Sequence, residues 1–95
     1  MKGKTKPKIH FDSFGGSGPL GVYLYDGPYG LAKECLEGDG VVFLSPNGEL
    51  LGAIFDDVDE SKDDQILISP VGHQIHVIVT NKKVDVQLKQ LKRRA

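Results

Sequence analysis

The chain has 95 residues, 39% hydrophobic and 26% charged, with a formal net charge of −1, one cysteine and no tryptophan. That length provides one core rather than two, the composition is globular rather than disordered, and the lone Cys35 excludes an internal disulfide scaffold. Charge is sorted along the chain: residues 1–8 carry +4, residues 9–81 carry −10 and residues 82–95 carry +5, which together give the formal −1.

Residues 1–8, MKGKTKPK, hold four lysines and no apolar residue after Met1, and read as a flexible basic arm. Ile9, Phe11 and Ser13 then alternate with polar residues, as in a strand. The glycine-rich stretch 15–21, GGSGPLG, turns the chain. Val22-Tyr23-Leu24-Tyr25 is a second strand, with Tyr23 and Tyr25 on one face. Residues 28–37 carry a helix pattern, with Pro28 at the first helical position and Leu31, Ala32, Cys35 and Leu36 on one stripe. Gly38 is placed to cap it.

Two apolar runs, 41–44 and 50–55, flank Asn47-Gly48, the strongest short-range hairpin signal a sequence offers. The acidic stretch 56–64 reads as a connection to a strand at 65–69. Pro70-Val71-Gly72 turns the chain into a long strand at 73–80, and Asn81-Lys82 is a second tight turn. Val84, Val86 and Leu88 alternate as a strand to about residue 88, before a basic tail at 89–95.

The expected fold class is α+β: a small, mostly antiparallel, curved or barrel-like sheet of five to six strands with one short helix. A single globular domain over 9–88 carries the arm 1–8 and the tail 89–95. Leu36-Glu37-Gly38-Asp39-Gly40-Val41-Val42-Phe43, followed by Gly48-Glu49-Leu50-Leu51-Gly52, resembles the first hairpin of small SH3-like barrels, and that resemblance implies a barrel-like sheet. The runs 41–44, 50–55 and 75–79 are apolar on both faces, so they need cover on both sides. One short helix cannot supply it; the sheet must curl on itself or meet a partner. No apolar run approaches the roughly 18–20 residues of a membrane span, and no signal-peptide core follows the basic start. A cytoplasmic protein is expected.

No catalytic constellation stands out, and no cofactor or metal is expected. Gly16-x-Gly18-x-x-Gly21 has dinucleotide-binding spacing, but Pro19 interrupts it and a strand follows where a helix should open. Asp57, Asp59, Ser61 and Asp63 alternate like calcium-loop ligands, yet Lys62 and Ile68 occupy the positions that need glycine and glutamate. His73 and His76 fall on opposite faces of a strand and cannot grip one ion. Cys35 reads as a small core residue.

The expected function is a small non-enzymatic protein-interaction or regulatory accessory module, homodimeric through its sheet. Its candidate contact residues are Lys4, Lys6, Lys8, Tyr23, Tyr25, Asp57, Asp59, Asp63, Lys92, Arg93 and Arg94, with the basic ends of one subunit lying against the acidic stretch of another. One alternative is a nucleic-acid-binding accessory protein, in which basic arms and nearby rings grip phosphate and bases; the acidic body opposes it. Another is a ligand-binding domain or enzyme with a pocket near the glycine-rich loop.

Overall fold

In the computed structural model, which describes residues 7–25 and 32–91, the apolar alternation of the chain resolves into strands alone. They are β1 (Lys8–Phe11), β2 (Ser17–Tyr23), β3 (Lys33–Glu37), β4 (Gly40–Leu44), β5 (Leu50–Asp59), β6 (Lys62–Ile68), β7 (His73–Thr80) and β8 (Lys83–Gln90). A five-stranded sheet has the order β1-β2-β5-β4-β3, and a three-stranded sheet the order β6-β7-β8. Every pairing is antiparallel.

Period-two alternation gives each sheet one buried face. Leu20 and Val22 of β2, Val42 and Leu44 of β4, and Ala53 and Phe55 of β5 line the inner face of the large sheet. Leu67 of β6 and Ile75, Val77 and Val79 of β7 meet them from the small sheet. Phe11, Cys35, Val84 and Val86 close the sides of this single core.

β5 belongs to the large sheet and delivers the chain to the small one. Gly18 pairs with Val58 but Leu20 with Phe55, so Asp56 and Asp57 together oppose Pro19 alone. This bulge is where proline, which has no N–H for the ladder, is tolerated inside a sheet. The extra residue turns Val58 inward to full burial and leaves Asp57 and Asp59 exposed. Gly18 serves a close approach: a Cβ there would lie 2.0 Å from the Asp12 carbonyl oxygen.

The α+β expectation is corrected: the protein is all-β among the described residues, with two sheets rather than one curved or barrel-like sheet and a helix. Residues 33–37 of the expected helix form β3, an edge strand paired with β4; residues 28–31 lie outside the described residues. A two-turn helix is marginal unless packed, whereas β4 offers this segment a complete ladder. Cys35 satisfies both patterns: it sits on the inner face, half-buried against the core. Gly38 has φ +54° as expected of a cap, but it serves the β3–β4 turn. The expected acidic connection is also strand, with β5 running to Asp59 and β6 starting at Lys62.

Both hairpins read around turn residues form. The β4–β5 turn closes with Ser45 N donating to Glu49 O and Gly48 N donating to Ser45 O. Ser45 Oγ accepts from Asn47 and Glu49 N–H, so the turn is wider than a two-residue Asn-Gly turn. Asn81 and Lys82 have φ 51° and 68°, the paired positive angles of a two-residue turn whose twist suits a hairpin. Their N–H groups donate to Ser61 O and Glu60 O, tying this turn to the one between β5 and β6. No helix among the described residues is long and apolar enough to cross a membrane.

A left-handed backbone costs an ordinary L-residue about 1–2 kcal/mol, partly offset because glycine is freer in the unfolded chain. Lys82→Gly is therefore expected to stabilise the fold by about 0.5–1 kcal/mol, a rise of a few degrees in Tm for a domain this size. Thermal unfolding followed by circular dichroism checks it.

Candidate interaction surface

The small sheet covers only one face of the large one. Two rows of side chains cross the other, outer face, and the register defines them. One row reads Lys8, Tyr23, Gly52, Phe43, Glu34; the next reads His10, Gly21, Ile54, Val41, Leu36. Tyr23, Val41, Phe43 and Ile54 are half-buried, while Leu36 on edge strand β3 is 83% exposed. The Tyr23 ring lies along its own strand over Gly21, where a Cβ would meet its hydroxyl at 2.5 Å. The middle of this face is therefore aromatic and aliphatic, with buried Gly52 between Tyr23 and Phe43 and charge at both ends of one row.

The outer face of the small sheet is more polar. His76, Gln74 and Thr80 of β7 lie among Asp64, Lys83, Asp85, Gln87 and Lys89 of its neighbours, and His76 Nε2 pairs with Asp64 Oδ1 at 2.5 Å. Of the three runs expected to be apolar on both faces, β4 and β5 present apolar outer faces, whereas β7 presents Ile78 alone beside His76.

The expected contact residues divide. Lys8 and Tyr23 are register partners on the large sheet. Tyr25 follows the end of β2, half-exposed, and shares no strand face with Tyr23. Asp57, Asp59 and Asp63 gather around the β5–β6 turn, on different strands from Lys8. Lys4, Lys6, Lys92, Arg93 and Arg94 lie outside the described residues.

The Asp59 and Asp63 carboxylates are turned toward the chain's own donors. Asp59 Oδ1 accepts from the N–H and Oγ–H of Ser61 at 2.8 and 2.7 Å. Asp63 accepts from the N–H groups of Asp59 and Asp64, both at 2.8 Å, and from Gln65 Nε2 at 3.0 Å. The Ser61 bonds lower the pKa of Asp59. Partial burial works to raise that of Asp63, but its hydrogen bonds prevail and lower it. These are turn-stabilising carboxylates, and no cluster suited to a metal ion occurs among the described residues.

The histidines also stand apart. His10 Nε2 is 3.0 Å from Asp12 Oδ2. His73 Nδ1 is 3.1 Å from Oγ of buried Ser69, which also accepts the N–H groups of His73 and Val71. With its acceptor capacity occupied, the hydroxyl donates its proton to neutral Nδ1.

Two open grooves mark the sides where the sheets part. One, of about 430 Å³, runs between the β3–β4 turn and β6, lined by Glu37, Asp39 and residues 65–68. The other, of about 470 Å³, lies between β1 and β8, where Ser13 Oγ donates to Glu60 Oε1 at 2.6 Å. Glu34, Val41, Phe43 and Ile54, and the Glu37–Ile68 groove, were not among the expected contact residues. Val41, Phe43 and Ile54 were signalled by runs apolar on both strand faces; Glu34 and the groove have no local signal. Comparisons with protein-family models, curated proteins and solved structures find no match.

Burial lowers the pKa of His73 below 6.5. The unfolded histidine then takes up its proton first as pH falls. Its neutral form favours the fold fully above about 6.5, and that advantage declines below this pH toward the folded pKa. Urea titrations are expected to show a midpoint that falls with pH in this window, and His73→Gln should flatten that part of the slope.

Proposed function

We propose that this chain is a non-enzymatic interaction module that pairs with a second copy through the outer face of its five-stranded sheet. The observation that carries this reading is the row Lys8, Tyr23, Gly52, Phe43, Glu34, which is self-complementary about its centre. β5 is the middle strand. A two-fold axis parallel to β5, lying between two such faces, sets Lys8 over Glu34, Tyr23 over Phe43 and Gly52 over Gly52. The same operation sets Ile54 on Ile54 and Val41 above the Gly21 position, which the Tyr23 ring covers. Apolar centre and charged rim is the ordinary anatomy of a protein interface, and equal patches related by a two-fold are what a symmetric dimer needs.

A second reading uses the same row differently. Lys8 beside Tyr23, with Phe43 two strands away, is a cation and two rings on one platform, as in single-strand nucleic-acid sites. Glu34 at the far end of the row and the acidic body oppose a phosphate backbone, so self-pairing is favoured.

Sedimentation of the full chain at tens of micromolar is expected to give a dimer. Phe43→Glu places a charge in the apolar centre and should weaken it by about 2–4 kcal/mol, roughly thirty- to several-hundred-fold in Kd. Phe43 is not a core residue, so the circular dichroism spectrum should persist. Lys8→Glu opposes two carboxylates at each end and should weaken the dimer several-fold, a rim effect of about 0.2–1 kcal/mol per pair. Adding Glu34→Lys should restore it. A monomeric wild-type chain that binds single-stranded oligonucleotide, with affinity falling steeply in salt, would replace this reading by the second.

A further inference from the structure

The four sheet edges are not protected alike. β1 carries Lys8 and His10, β3 carries Lys33, Glu34 and Glu37, and β8 carries Lys83, Asp85 and Lys89. Such charges are the usual guard against pairing with another chain. The second half of edge strand β6 has none: it reads Ile66-Leu67-Ile68, with Ile66 and Ile68 47% and 43% exposed.

The hydrogen-bond phase of β6 follows from its two ends. Asn81 N donates to Ser61 O, and Ser69 N donates to His73 O, so the odd-numbered residues face β7. Antiparallel alternation then directs the N–H and C=O groups of Ile66 and Ile68 away from β7. They point to the side where the 430 Å³ groove lies, whose opposite wall is the β3–β4 turn with Glu37 and Asp39. An open ladder and an acidic wall face one slot.

We propose that this slot receives residues 2–6 of a second copy as an added strand. In Lys2-Gly3-Lys4-Thr5-Lys6 the lysines fall at alternate positions, so an extended conformation puts all three on one face and the small Gly3 and Thr5 on the other. The lysine face complements Glu37 and Asp39, and the main chain completes the ladder at Ile66 and Ile68, the strand-addition mode of peptide recognition.

Residues 2–6 of the same chain do not reach this slot. Lys8 starts β1 at the sheet edge opposite β3, four strand spacings away, or about 19 Å. It also lies in the row of Glu34, at the other end of the strands from Glu37 and Gly40. Lys6 and Lys2 lie two and six residues from Lys8, within about 7 and 20 Å of fully extended chain, so residues 2–6 of the same chain cannot lie along β6. This surface is distinct from the outer face of the large sheet, so either contact stands without the other.

The test is amide hydrogen exchange on the full chain carrying Phe43→Glu, which removes pairing through the outer face. Protection at Ile66 and Ile68 is expected to rise about tenfold between low and high micromolar protein, while Val77 and Val79 in the core report an unchanged fold. Reversing the arm (Lys2→Glu, Lys4→Glu, Lys6→Glu) or the wall (Glu37→Lys, Asp39→Lys) should abolish the concentration dependence, and combining both should restore it. Protection that does not change with concentration, or that survives reversal of the arm alone, overturns the proposal.

Discussion

One layer of apolar side chains holds both sheets, and the sheets are unequal. Leu20, Val22, Val42 and Phe55 meet Leu67, Ile75, Val77 and Val79 across it. Among the described residues, the five strands have cover on one face only. A sheet with one wet face normally alternates apolar-in and polar-out, and the small sheet largely obeys that rule on its outer side. The large sheet does not, because Tyr23, Val41, Phe43 and Ile54 all point outward from its middle strands. Contiguous apolar surface in the middle of a sheet is the feature that most often marks a contact with another macromolecule.

The glycine-rich segment belongs to the same constraint. Gly18 lets the end of β1 approach β2, and Gly21 leaves space beneath the Tyr23 ring. Spacing that matches a phosphate-binding fingerprint is met here by backbone packing in a sheet, where no helix opens behind the glycines. Pro19 between them coincides with the β5 bulge, and that bulge switches the buried side of β5 so that it can lead into the second sheet. The residues that defeat the nucleotide motif are those that build the corner of the sandwich.

Legibility in the sequence followed the range of the forces involved. Turns at 45–49 and 81–82 were readable because their residues specify their own backbone, and β7 was readable from its length and its β-branched, apolar run. β3 was not, since Cys35 and Leu36 fit a helix stripe as well as a pleat, and the choice depended on the edge of β4 being available. Sheet membership was also hidden: nothing local says that β5 and β6, joined by the short turn at Glu60 and Ser61, separate into different sheets. The outer face was half legible. The apolar strands announced a need for cover, but the facing of Lys8 to Glu34 across five strands exists only in the register.

Charge placement carries the last step. The sorted sequence suggested that basic ends would seek the acidic stretch at 56–64, yet the hydrogen bonds of that turn assign Asp59 and Asp63 to Ser61, Asp64 and Gln65. A carboxylate that already accepts two or three donors gains little from a distant lysine and must give up good geometry to meet one. Glu34, Glu37 and Asp39 differ, because they stand on an edge strand and its turn, beside an unprotected ladder and an apolar face. In the two proposed contacts, electrostatics thus acts beside open backbone and apolar surface, selecting an occupant for positions that packing leaves open.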